Sequence, residues 1–267
     1  MTHRELIEAG RLADAVAQVT AEVRSRPADP ALRITLFELL AFQGDLERAA
    51  KQLDVVGTQG IEEDLAVQQY RHLLAGEATR RKVFAGTAKP KLGDPSPGYT
   101  EHYLRGLHAL AAGDAAAAAA AFEQGEGERP LLSGTLNGTP FDDFRDADDR
   151  LGPFLELFLS EEYHWIPWEM IQSVTLDEPK QLRNLLWAPI SFLLHAGPRL
   201  AGFTPVLYAG SHLEGEATQL GKQTSWDERQ GFARGLGQRV FFAGDAQPAL
   251  LEIRDLEFSH ADESQES

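Results

Sequence analysis

One phrase recurs along the first half of this chain. Gly10 stands in EAGRLADAVAQV, Gly44 in FQGDLERAAKQL 34 positions later (44 minus 10), and Gly113 in AAGDAAAAAAAF. In each copy a glycine closes one helix and a polar residue opens the next. A small residue follows five positions after the glycine (Ala15, Ala49, Ala118), and an apolar one nine after (Val19, Leu53, Phe122). In two copies a proline comes seventeen after the glycine, Pro27 and Pro130, where a helix must stop.

A 34-residue helix-turn-helix with small residues at the closest crossing is the tetratricopeptide pattern. Stacked helix pairs need Ala or Gly where backbones approach and bulky apolar side chains where they interlock. Leu32, Leu36, Phe37, Leu39 and Leu40 supply one such face at helical spacing. The repeat is degenerate: the signature tryptophan of its first helix is missing, and the segment around Gly76 (LLAGEATRR) fits half of the template. The expectation is a tetratricopeptide-like helical domain over residues 1–129, carrying a Pro/Gly-rich loop at Lys89–Gly98. Such stacks present grooves to peptides and helices, and the stripes Leu36, Phe37, Leu40 and Tyr103, Leu107 are the candidate partner surface. The alternative is that the helices only scaffold the second half of the chain.

After Pro130 the periodicity changes. Asn137-Gly138 is a hairpin signal. Arg150–Ser160 reads as a helix with Leu151, Phe154, Leu155, Phe158 and Leu159 on its apolar face and Asp148 or Asp149 at its start. Tyr163–Pro167, Ile171–Leu176, Gly202–Tyr208, Arg239–Ala243 and Ala249–Phe258 read as strands, and Leu182–Trp187 as a helical turn. The apolar run Leu185–Ala196 is too short to span a bilayer and reads as core. The fold class expected is α+β: the helical domain, then a smaller domain over 130–258 with short, mostly antiparallel strands, then a disordered acidic tail over 259–267.

Charge narrows the function. Lys plus Arg number 25 against 41 Asp plus Glu, a formal net charge of -16, which disfavours nucleic acid and anionic membrane as partners. The chain has no cysteine, so thiolate chemistry and Cys-based metal sites are out. Met1–Gly10 lacks the apolar core of a signal peptide, and a cytoplasmic location is expected. The eight histidines form no HExxH, and His102 and His108 are too far apart to share a helix face as an i, i+4 pair. Gly231, Gly235 and Gly237 match no phosphate loop and read as tight turns. The sharpest enzymatic alternative is a metal-assisted hydrolase built on Asp142, Asp143, Asp146, Asp148 and Asp149. Against it stands a turn in which the aspartates accept backbone N–H groups and pair with Arg145 and Arg150. Trp165, Trp168, Trp187, Tyr208 and Trp226 are either core or a recognition surface.

Six phrases in order, FRDADDRLGPFLE, YHWIPWEMI, LRNLLWAP, PVLYAGS, LGKQTSW and GLGQRVFF, span roughly Gly134–Leu251 and resemble the ImpE/TagJ (SciE) family. Asn184 stands where the family pattern has an acidic residue. The resemblance implies a non-enzymatic adaptor of type VI secretion without cofactors. It further implies binding to the amino-terminal helix of the small contractile-sheath subunit and an influence on sheath recycling by the AAA+ ATPase. A general helical-repeat chaperone is a third reading, distinguished by broad partner choice.

Overall fold

The computed structural model describes residues 1–56, 61–195 and 197–259. The first half is helical: α1 (His3–Glu8), α2 (Leu12–Ser25), α3 (Pro30–Phe42), α4 (Leu46–Val56), α5 (Ile61–Phe84), α6 (Thr100–Ala111) and α7 (Ala115–Glu128). Local devices start the helices: a Thr2–Glu5 capping box, Asp29 ahead of Pro30, and Asp114 accepting from the Ala117 N–H.

The ends of α1, α3 and α6 are one motif made three times. Gly10, Gly44 and Gly113 take φ of 75°, 79° and 81°. Each glycine N–H donates three residues back, and the next residue donates five back: Arg11 to Leu6, Asp45 to Leu40, Asp114 to Ala109. This paired bonding satisfies carbonyls that a helix end otherwise leaves open, and a residue without Cβ enters the left-handed region cheaply. Ala15, Ala49 and Ala118 are fully buried, as are Val19 and Leu53, with Phe122 nearly so.

Helix α5 departs from the template. Gly76 sits inside a continuous helix of 24 residues, not at a turn. The Phe158 ring lies 2.5 Å from where a Cβ on Gly76 would stand. The glycine turn comes later, at Gly86 (φ 69°), where Gly86 and Thr87 donate to Val83 and Lys82. Helix α5 packs on α4 and, in addition, on the sheet of the second half.

That half carries β1 (Lys91–Leu92, from the Lys89–Gly98 loop), β2 (Gly134–Leu136), β3 (Thr139–Phe141), β4 (Phe144–Asp146), β5 (Phe154–Leu159), β6 (Glu162–Pro167), β7 (Ile171–Leu176), β8 (Trp187–Leu194), β9 (Arg199–Pro205), β10 (Ser225–Asp227), β11 (Arg234–Leu236), β12 (Phe241–Ala243) and β13 (Asp255–Phe258). Nine of them form one sheet in the order β1-β6-β5-β9-β8-β7-β13-β2-β3, and β10-β11 and β12-β4 form two small ribbons. Every pairing is antiparallel except β1 with β6. The fold is α+β. Asn137 and Gly138, at φ 49° and 80°, make the tight β2–β3 turn, in the left-handed conformation that a type I′ hairpin requires.

The helix expected over Arg150–Ser160 is instead a turn leading into β5. Phe154, Glu156 and Phe158 face the helices, Leu155 and Leu157 face away, and all five are buried. A strand covered on both sides is continuously apolar, and over six residues that run imitates a helical stripe. The strand expected at Gly202–Tyr208 starts earlier, as β9, and the apolar run Leu185–Ala196 holds β8. Ala249–Phe258 divides into a 3-10 turn at Leu250–Glu252 and β13. The expected tail lies, beyond Ser259, outside the described residues. No helix among the described residues is long and apolar enough to cross a membrane. Buried apolar side chains of both halves form one contiguous cluster.

Candidate functional site

The aspartate-rich segment is wired to arginines. Asp143 pairs with Arg129, Asp146 with Arg239, Asp148 with Arg150, and Asp149 with Arg145. Asp146 and Asp148 also accept the N–H groups two residues on, and Asp148 and Asp149 reach across to the N–H groups of Gly235 and Ala233. The segment is a turn that fastens the β11 loop, with its helix start replaced by the turn into β5. Among the described residues no three His, Asp or Glu side chains converge as a metal site would require.

Behind this turn lies a buried ionic chain joining the two halves. Arg80 of α5 donates to both carboxylate oxygens of Glu156 on β5, at 2.6 and 3.1 Å, and to the Leu207 carbonyl at 2.9 Å. Arg239 lies 3.5 Å from the same carboxylate and bonds Asp146 at 2.7 and 3.0 Å. The Tyr163 hydroxyl donates to Glu156, and the Tyr208 hydroxyl to Asp146. Burial raises Glu156, but Arg80, then Arg239, then the Tyr163 hydroxyl outweigh it and hold the carboxyl below its usual range. Asp146 goes the other way: burial, with the neighbouring Asp148 charge, outweighs Arg239 and pushes it up to about 6. Burial and the adjacent carboxylates keep both tyrosines protonated, as donors.

The nine residues proposed from sequence as partner contacts are all interior. Leu36, Phe37, Leu40, Tyr103, Leu107, Trp165, Trp168, Trp187 and Tyr208 are each 3% exposed or less. Phe37 stacks between Tyr70 and Trp187, and Phe154 stacks on Trp165. These side chains join helices to sheet within the chain, so a partner would meet the surfaces above them. Among the aromatic candidates Trp226 alone is exposed, at 40%. The expected charge-poor position Asn184 caps its own turn, accepting from the Lys180 and Gln181 N–H groups.

A cleft of about 420 Å³ opens where the ends of α5 and α6 meet the β11 loop and the 3-10 turn Ser211–Leu213. Phe84, Leu110 and Phe232 supply its apolar wall; Arg81, Arg150, Arg234 and His212 supply the polar one. Sequence reasoning missed this set, since its three arginines and His212 come from four separate segments of the chain.

Comparison with known proteins supports the whole architecture. A sequence model of the ImpE protein family matches residues 138–257. The crystal structure of protein VPA1032 from Vibrio parahaemolyticus superposes with a TM-score of 0.90 at 26% identity, over 96% of this chain and 97% of that one. The type VI secretion system accessory component TagJ of Pseudomonas aeruginosa is 37% identical over 264 residues, 98% of this chain and 92% of that protein. Identity at that level across helices and strands alike, with the family pattern lying on the strand half, means that this chain belongs to the ImpE family.

Proposed function

We propose that the chain is a cytoplasmic, non-enzymatic accessory component of type VI secretion that binds the amino-terminal helix of the small sheath subunit and thereby influences sheath recycling by the AAA+ ATPase. The observation that carries this reading is the near full-length identity to TagJ, whose name places that protein in the secretion system. Four of the five clustered aspartates, the best candidates for hydrolytic chemistry, are each held by an arginine, which commits those side chains to fastening the turn. Calorimetric titration of a synthetic sheath-subunit amino-terminal helix into the purified protein tests the reading. The expected result is one-to-one binding that is lost when the peptide sequence is scrambled. No heat at high micromolar peptide would overturn it.

A further inference from the structure

The cleft at the ends of α5 and α6 is lined by three arginines, Arg81, Arg150 and Arg234, in a protein whose formal net charge is -16. Two of the three are already committed. Arg81 is paired with Glu77 and bonds the Gly44 carbonyl, and Arg150 is paired with Asp148. Arg234 makes no ion pair among the described residues, and its Nε is buried without a hydrogen-bond partner. Of the three acids in electrostatic reach of it, Asp148 and Asp227 are bonded to Arg150 and Arg229, and the exposed Glu214 stands outside ion-pair distance. Burial, then the Arg150 charge, lower the half-buried Arg234 guanidinium from its usual range, and a ligand carboxylate beside it would offset the Arg150 repulsion.

The other wall of the cleft is apolar. Phe84 and Phe232 line it, and Leu213 at its mouth is 76% exposed. No acidic side chain contributes to the lining. An anion alone would leave that wall wet, and an apolar ligand alone would leave Arg234 unsatisfied. An amphipathic helix meets both needs, because side chains three or four apart stand on one face about 5–6 Å from each other. A volume of this size admits a few side chains, so the body of the helix stays outside.

We propose that this cleft receives one apolar and one acidic side chain of a docking partner helix, with Arg234 taking the carboxylate. Resting on the helix-binding reading above, it assigns that reading a place and a charge rule. The last turns of α5 and α6 present their carbonyl ends on this side of the molecule, which repel an anion; the carboxylate therefore sits toward β11.

The test uses the full chain and a synthetic sheath-subunit amino-terminal helix, with binding followed by fluorescence anisotropy. Arg234→Gln is expected to weaken binding at least tenfold while leaving the thermal midpoint unchanged or raised, since it removes a half-buried charge that makes no ion pair among the described residues. One acidic residue of the peptide, changed to its amide, should cost a similar factor in the wild type and almost nothing in Arg234→Gln. Arg24→Gln, on an exposed face of α2, should have no effect. Wild-type binding that survives Arg234→Gln overturns the cleft assignment and leaves the adaptor reading intact. Equal losses in Arg24→Gln and Arg234→Gln also overturn it, as a bulk charge effect. So does inorganic phosphate bound through Arg234 without displacing the peptide, which would make the cleft a small-anion site. Failure of the wild type to bind the peptide takes down the adaptor reading and this inference together.

Discussion

At the residue scale, Glu156 matters most to the join between the halves, because two arginines share its carboxylate in a fully buried setting. Glu156→Gln keeps the shape and one acceptor but leaves Arg80 and Arg239 short of a counter-charge. Removing one partner of a buried ion pair costs about 3–5 kcal/mol, and urea unfolding of the variant should show a loss of that order. A cost under about 1 kcal/mol would mean that water or Asp146 compensates. The histidines set a pH dependence. His212 is lowered by burial and then by Arg81, and His164 by burial. Both folded values lie below the unfolded value of about 6.5, so the folded protein binds fewer protons, and their stability contribution, full above about pH 6.5, is lost as pH falls. Asp146, at about 6 when folded and about 3.9 when unfolded, adds stability as pH falls between those values. His212→Gln should therefore shrink the loss in urea midpoint between about pH 7 and about pH 5.5; an unchanged loss would remove His212 from the account. None of these shifts was legible in the sequence, because Arg81 and His212, or Arg80 and Glu156, meet only through tertiary packing.

At the element scale, the α6–α7 pair shows how closely small residues let helices approach. A Cβ on Gly106 would fall 2.3 Å from the Phe122 ring, and one on Gly125 would fall 2.5 Å from the Tyr103 ring. Gly127, in the same helix as Gly125, has nothing within 4 Å of that position. Alanine favours a helix interior over glycine by about 1 kcal/mol, and Gly127→Ala, next to the end of α7, should show part of that gain with no steric cost against it. In Gly106→Ala the aromatic ring must move, and overpacking of about 1–3 kcal/mol should win. Thermal melts of the two variants should therefore shift in opposite directions; a stabilised Gly106→Ala would mean that Phe122 has room to rotate. The helix pairs were readable because their glycine turns and buried alanines recur at fixed offsets. The helical reading of β5 failed because a strand buried on both faces loses the alternation that identifies strands. Helix α5 blurred the repeat for a related reason: its Gly76 serves contact with Phe158 on the sheet, a demand that no local pattern announces. The cleft was invisible at this scale too, being assembled from two helix ends, a 3-10 turn and a strand.

At the scale of the whole molecule, the passage from helix to strand between Glu128 and Gly134 is crossed by contacts of every kind. Arg80 reaches Glu156, Arg183 reaches Glu38 at 2.8 Å, and the Tyr99 hydroxyl reaches Glu169 at 2.8 Å. Glu216 accepts from the Leu12 and Ala13 N–H groups at the start of α2, each at 3.1 Å, so a carboxylate of the strand half caps a helix of the first. Phe37 stacks on Trp187 within the shared core. Exposing either half alone would uncover this apolar surface and break the Arg80–Glu156 pair, so the two halves are expected to unfold as one cooperative unit. The distribution of aromatic residues makes this measurable. The four tryptophans, at 165, 168, 187 and 226, all belong to the strand half, while α1–α7 dominate the helical circular dichroism. In urea, tryptophan fluorescence and ellipticity at the helical band should trace the same transition with the same midpoint. Two separated midpoints would show that the helical repeats and the sheet are independently stable, and would recast the Arg80–Glu156 chain as a contact between domains that can part.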